Sequence, residues 1–217
     1  MLSDVSSGYN VSGSLYLRPT FNELCGFTEA EIAGALRQVV QERGLPEEKV
    51  AEALELMRAF YNGYSFSYET PPTLYNPTLA LYFLDYLKQE GSYPRQLFDS
   101  NLEMDRVKID YIAQLPHGEQ LVLAALQEAP PVTVMQLADR FGVERMLRAS
   151  AHDTTFMASL LYYFGVLTLT QGRSKDGEAI LRIPNQVARK LYAERYLEAL
   201  LPQVAEVEEG RDAVRVI

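Results

Sequence analysis

Apolar residues recur at helical spacing through the first half of the chain and at mixed spacing through the second. Ile32, Leu36, Val39 and Val40 share one helical face, as do Val50, Leu54, Met57 and Tyr61, and then Ala80, Phe83, Leu84 and Leu87. Each set predicts an amphipathic helix. The first helix starts after Thr28, where Thr28 and Glu31 fit a capping box and Phe27 and Ile32 a hydrophobic staple; Gly44 and Pro46 stop it. The second runs from about Glu47 to Tyr61. The third opens on Asn76 and Pro77, an N-cap followed by a first-turn proline, and closes at Gly91. Between them, Asn62-Gly63 in Tyr61-Asn62-Gly63-Tyr64-Ser65-Phe66 predicts a tight turn with positive φ.

The second half changes period. Glu119 to Glu128 reads as a short apolar helix broken by Pro130 and Pro131, and Thr133 with Gln136 fits a second capping box opening a helix from Val134 to Phe141. A further helix spans about Asp153 to Phe164. It is followed by the alternating Val166-Leu167-Thr168-Leu169-Thr170, a glycine-bearing turn from Gln171 to Gly177 and a second strand ending at Ile183. Pro184 ends this hairpin, and Asn185 caps a last helix carrying Ala188, Leu191, Tyr192 and Tyr196 at helical spacing. Three helices and then a hairpin is the element order of a winged helix. The chain accordingly divides into residues 21–115, mostly helical, and 116–202, winged-helix-like, preceded by a Ser- and Gly-rich stretch 1–20 and followed by an acidic, then weakly apolar tail 203–217. Within the leading stretch, Leu15-Tyr16-Leu17 is a short strand candidate ended by Pro19.

Charge refines this division. The formal net charge is −9, but residues 132–200 carry nine Lys/Arg against seven Asp/Glu, and the remainder eleven against 22. The acidity therefore lies outside the winged-helix-like region. That region's third helix, Asp153 to Phe164, contains no Lys or Arg, whereas duplex affinity depends on neutralising phosphates. Arg173, Lys175 and Arg182 on the hairpin, with Arg189, Lys190 and Arg195 behind it, read as a scattered solvated face. Protein contacts are thus favoured over nucleic acid.

Candidate chemistry is sparse. The sequence has no Gly-x-x-x-x-Gly-Lys-Ser/Thr loop to wrap phosphates and no apolar strand ending in an acidic pair for magnesium, so this chain alone is not expected to hydrolyse ATP or to be an enzyme. Neither a Gly-x-Ser-x-Gly elbow nor a zinc-protease helix occurs. Glu47-Glu48-Lys49 is the only Glu-x-Lys, and it falls at a helix start rather than on a strand. One cysteine, Cys25, reads as a small buried hydrophobe, and two distant histidines, His117 and His152, make no metal cluster. No apolar run reaches the roughly 18 to 20 residues of a membrane helix, and the start, Met1-Leu2-Ser3-Asp4, lacks a signal-peptide pattern, so a cytoplasmic protein with no membrane partner is expected. Among 14 Tyr and nine Phe, those of Tyr61-Asn62-Gly63-Tyr64 flank a turn, where rings with polar tips suit a ligand or domain contact.

The order of motifs carries a resemblance. Asp4-Val5-Ser6-Ser7-Gly8-Tyr9-Asn10, Phe21-Asn22-Glu23-Leu24-Cys25-Gly26-Phe27-Thr28, Tyr61-Asn62-Gly63-Tyr64-Ser65-Phe66 and Leu74-Tyr75-Asn76-Pro77 resemble, in that order, a bacterial AAA-ATPase-like family that often precedes a PD-(D/E)XK-type nuclease domain. Tyr162-Tyr163-Phe164-Gly165-Val166-Leu167-Thr168-Leu169 and Leu181-Arg182-Ile183-Pro184-Asn185 look like its winged-helix region. The sequence departs from the family at Thr78-Leu79, where Trp and Ser are usual, and at Leu97-Phe98-Asp99-Ser100-Asn101, which lacks the family's Trp.

The resemblance implies a mainly α chain, a helical lid-like bundle followed by a winged-helix-like domain with one β-hairpin. It further implies that residues 1–20 are a remnant of an ATPase core whose last strand is Leu15 to Leu17, and that the chain is truncated between a phosphate-binding core and a nuclease-like neighbour. ATP and Mg would belong to the intact module, with Asn76 and Pro77 near the nucleotide base; this chain alone would hold no cofactor. An orphaned strand would also expose Tyr16 and Leu17 and favour self-association. An independent winged-helix nucleic-acid binder is the alternative.

Overall fold

The computed structural model describes residues 17–69, 72–97, 117–127, 131–138 and 153–194. These form a mainly helical protein with one small three-stranded antiparallel sheet.

The N-terminal half follows its apolar periodicity closely. A 3-10 helix, Pro19–Cys25, leads into α1 (Glu29–Glu42), α2 (Glu48–Tyr61) and α3 (Pro77–Glu90). Thr28 Oγ1 accepts from the Glu31 amide at 3.3 Å while the Glu31 carboxylate accepts from the Thr28 amide at 2.8 Å, so α1 begins with a complete capping box. Asn76 Oδ1 accepts from the Leu79 amide at 3.2 Å, Pro77 occupies the first turn of α3, and Gly91 ends that helix at φ 66°. The predicted apolar faces meet in one core through Ile32, Leu36 and Val39 of α1, Met57 and Tyr61 of α2, and Ala80, Phe83 and Leu87 of α3; Ala53 and Leu79 join them, while the predicted Val50, Leu54 and Leu84 are only partly buried against it. Tyr61 packs edge-on against Phe83, their centroids 6.0 Å apart.

The second core is built on the sheet. Helix α4 (Gly118–Gln127) precedes β1 (Val132–Val134); α5 (Thr154–Tyr163) precedes β2 (Thr168–Arg173) and β3 (Ala179–Arg182). The strand order is β1-β3-β2, with Val132 opposite Leu181 and Leu169 opposite Leu181 on the other side. Seven consecutive residues of α5, Phe156 to Tyr162, are buried. Such a helix has no polar face to offer over that stretch and is wrapped by the rest of its unit.

Two expectations fail here. Thr133 does not cap a helix: Val132-Thr133-Val134 is a strand, with Val132 and Val134 buried and Thr133 paired to Ile180. The β-branched triplet prefers a pleated, half-buried surface, and β3 supplies an edge to pair with. The end of the predicted helix, 139–141, lies outside the described residues. The hairpin turn is also shorter than expected, since β2 continues to Arg173 and Gly177 donates to the Ser174 carbonyl at 3.0 Å. The strand candidate Leu15-Tyr16-Leu17 is described only at Leu17, which is half-buried and forms an isolated parallel bridge to Ser67. Tyr196, residues 98–116 and the tail 203–217 lie outside the described residues.

The last helix, α6, is described over 186–194 and joins the two cores. Val187 is buried among α1, α2 and α3, whereas Ala188 and Tyr192 are buried in the sheet core. Leu191 packs against both. Adjacent residues of a helix point about 100° apart, so one helix can serve two cores only by lying between them. Among the described residues, no helix is long and apolar enough to cross a membrane.

Candidate functional site

The residues singled out in the sequence converge. Helix α2 ends at Tyr61, whose carbonyl accepts from the Asn76 amide at 2.9 Å, so the Tyr61–Tyr64 turn and the Asn76-Pro77 helix start are hydrogen-bonded neighbours. The chain then pairs Tyr64 with Leu74 through reciprocal bonds of 3.2 and 2.8 Å, and Phe27 with Tyr75 through bonds of 3.2 and 2.9 Å. These short antiparallel contacts clamp the entrances of α1 and α3 to the exit of α2.

Inside this clamp the side chains are mostly covered. Tyr61 is fully buried, Asn62 and Gly63 are buried, and Tyr64 is half-buried. Asn62 Oδ1 accepts from the Gly63 amide at 2.6 Å. Tyr75 donates to Glu29 at 3.3 Å, and Arg58 grips Glu29 through two bonds of 2.9 and 2.7 Å. A polar chain therefore runs from the exposed Arg58–Glu29 pair inward to Tyr75. The Arg58 hydrogen bonds hold the Glu29 carboxyl below its ordinary value, and burial, then the Glu29 charge, pushes the Tyr75 hydroxyl above its own. Burial, then Tyr82, raises the Tyr61 hydroxyl, which has no hydrogen-bond partner among the described residues.

The turn faces the second unit of the fold. Gly63 adopts φ 117°, and a Cβ placed there would sit 1.9 Å from the Pro184 carbonyl oxygen, far inside any contact distance. Only glycine satisfies both conditions. Tyr64 lies beside Gly165, and the Ser65 amide donates to Thr168 Oγ1 at 2.7 Å, with Thr168 donating back to the Ser65 carbonyl at 3.2 Å. Phe66 meets Tyr162 edge-on, and Arg173 lies 4.2 Å over the Tyr68 ring. The rings and amides of this segment are packed against α3 and against the hairpin unit. Sequence reasoning identified the turn but not Pro184, Thr168 or the Glu29-Arg58-Tyr75 set. No local signal could have named them, because each partner is contributed by a distant segment.

Other candidates resolve individually. Asn76 spends its side-chain oxygen on capping α3, and Pro77 fills the first turn. Glu48 and Lys49 sit at the start of α2, where Lys49 pairs with Glu52 at 2.8 Å and lies 4.7 Å over Tyr93. Cys25 is exposed rather than buried, a correction that follows from its place at the end of the 3-10 helix, where Asn22 is the buried residue. Asn22 accepts from Phe66 and donates to Pro72, leaving the Leu24-Cys25 side outward. Among the described residues, no three His, Cys, Asp or Glu side chains gather as metal ligands. A separate cleft of about 360 Å³ opens between the end of α1 and the start of α2, floored by Val40, Leu45 and Val50 and rimmed by Arg37, Gln41 and Glu47. Neither family models, nor characterised proteins, nor solved structures match the chain.

Proposed function

We propose that this chain is the lid and winged-helix part of a bacterial AAA-ATPase-like protein, a non-catalytic module that couples a nucleotide-dependent core to a C-terminal neighbour through protein contacts. The observation that carries the proposal is α6, which contributes Val187 to the three-helix core and Ala188 and Tyr192 to the sheet core. A displacement imposed on the helical unit is therefore passed to the hairpin unit. The strand order β1-β3-β2 after α4, with α5 before the hairpin, supports the winged-helix reading. Helix α5 carries no cation and buries seven residues, which favours protein over nucleic-acid contacts. The exposed Arg173, Lys175 and Arg182 are what the alternative, a nucleic-acid binder, would use. In the intact module ATP and Mg belong to the core, with Asn76 and Pro77 on the side facing the base.

The gene neighbourhood is the first test. A phosphate-loop portion upstream and a nuclease-like portion downstream are expected, and the reading fails if neither is encoded nearby. With such a core in hand, ATP turnover is measured with and without this chain. The chain alone should show none, and adding it should change the core's rate; turnover by the chain alone, or an unchanged rate, sinks the proposal. Titration of a short labelled duplex at low salt should give no saturable binding. Binding that weakens steeply with salt would establish the alternative instead.

A further inference from the structure

The geometry points to residues 62–68 as a mechanical strap, a segment of the helical unit that fixes the hairpin unit in one orientation and makes the two exchange and unfold together. Three independent features converge on it. The first is steric: Gly63 approaches the Pro184 backbone so closely that no side chain can intervene. The second is polar: Ser65, Ser67 and Thr168 are buried, and Ser65 and Thr168 satisfy each other through a reciprocal pair of bonds between residues 103 apart in sequence. A buried polar pair costs free energy if its partner moves away, so this contact resists separation more than an apolar one of equal area. The third is directional: Phe66 and Tyr68 leave the helical unit and pack on the sheet core, where Tyr68 Oη accepts from the Leu137 amide at 3.4 Å and its ring carries Arg173.

The strap is anchored at its own end as well. Asn22 accepts from the Phe66 amide at 2.8 Å and donates to the Pro72 carbonyl at 3.2 Å, and at the α2 end the Tyr61 carbonyl accepts from the Asn76 amide at 2.9 Å. Both ends are thus held while the middle grips β2 and the end of β3. A loop built only to connect α2 to α3 would need none of these bonds, because loops ordinarily run over the surface with water satisfying their backbone. As a route for nucleotide-dependent coupling the strap rests on the lid-and-winged-helix reading; as a joint it rests on the contacts alone.

Hydrogen–deuterium exchange of the full chain, read peptide by peptide, separates these. Thr168→Val keeps the shape of the side chain and removes both hydrogen bonds. It should speed exchange at Ser65 by about fivefold to tenfold, the worth of one hydrogen bond of about 1 kcal/mol or slightly more, and raise exchange on the hairpin side at 179–184 as well. Gly63→Ala should raise exchange on both sides further, while the buried faces of α1 and α5 stay protected. Changes confined to the peptide carrying the substitution, in either variant, would overturn the strap. If Gly63→Ala does not fold, Thr168→Val decides alone. Failure of the chain to alter an ATPase core would leave these exchange patterns unchanged, so the two ideas fail separately.

Discussion

Tyr61 combines two features that oppose each other. Its ring is fully buried against Phe83, yet its hydroxyl has no hydrogen-bond partner among the described residues. Burying a hydroxyl unpaired costs roughly 1 to 3 kcal/mol, while the ring burial is favourable and unaffected by the oxygen. Tyr61→Phe should therefore stabilise the protein, by about 1 kcal/mol, read as a higher urea midpoint with unchanged slope; a lower midpoint would mean that the hydroxyl is satisfied. The same hydroxyl, with that of Tyr93, gives an alkaline signature. Burial is the leading cause that raises both above the ordinary tyrosine value of about 10. A raised folded-state value means that the unfolded chain ionises first, so stability is complete below the ordinary value and falls as pH rises through and beyond it. Urea midpoints measured from pH 8 to pH 11 should decline at the alkaline end, and less so in Tyr61→Phe.

At the scale of elements, α1 allows two polar devices at one helix start to be ranked. Thr28 caps the helix in a complete capping box, and Glu29, the next residue, pairs with Arg58 across to α2. A cap satisfies amide donors that have no other partner and is worth about 1 kcal/mol, whereas an ion pair with both side chains about half exposed is screened and worth well under that. Thr28→Ala should thus destabilise by about 1 kcal/mol, and Glu29→Gln by less. Glu29→Gln should also alter the acid limb. The Arg58 hydrogen bonds lower the Glu29 value, so its contribution is present above the ordinary carboxylate range and lost as pH falls through the native value. Equal losses in the two variants, by thermal unfolding at neutral pH, would reverse the ranking. Both caps and all three N-terminal faces were legible in the sequence because capping and 3.6-residue spacing are local rules. Val132-Thr133-Val134 was not, since Thr133 and Gln136 satisfy the helix rule equally well and only the presence of β3 decides. Cys25 was misread for a similar reason: burial in a 3-10 helix is set by which residue tertiary contacts hold, and here that is Asn22.

Across the whole molecule, the turn at Asn62-Gly63 could be read from sequence as a turn, but its partners could not, because Pro184 and Thr168 reach it only through the fold. The same is true of α6: its apolar spacing predicted a helix, and the division of that helix between two cores needed both cores to be present. This arrangement makes a direct prediction about cooperativity. Val187 is 2% exposed and packs with residues of α1, α2 and α3, although it belongs to the C-terminal unit in sequence. Val187→Ala deletes two buried methyl groups and leaves a small cavity, a loss of about 2 kcal/mol. If the units fold as one body, that loss lowers a single transition, by roughly 4 to 8 °C for a chain of this size, and amide exchange in α1–α3 and in β2–β3 accelerates together. If they are independent, melting separates into two steps and only the helical unit weakens. Coincident transitions by far-ultraviolet dichroism and by tyrosine absorbance in Val187→Ala are the expected result, because Leu191, one turn further along α6, still touches both cores and the strap still ties Ser65 to Thr168.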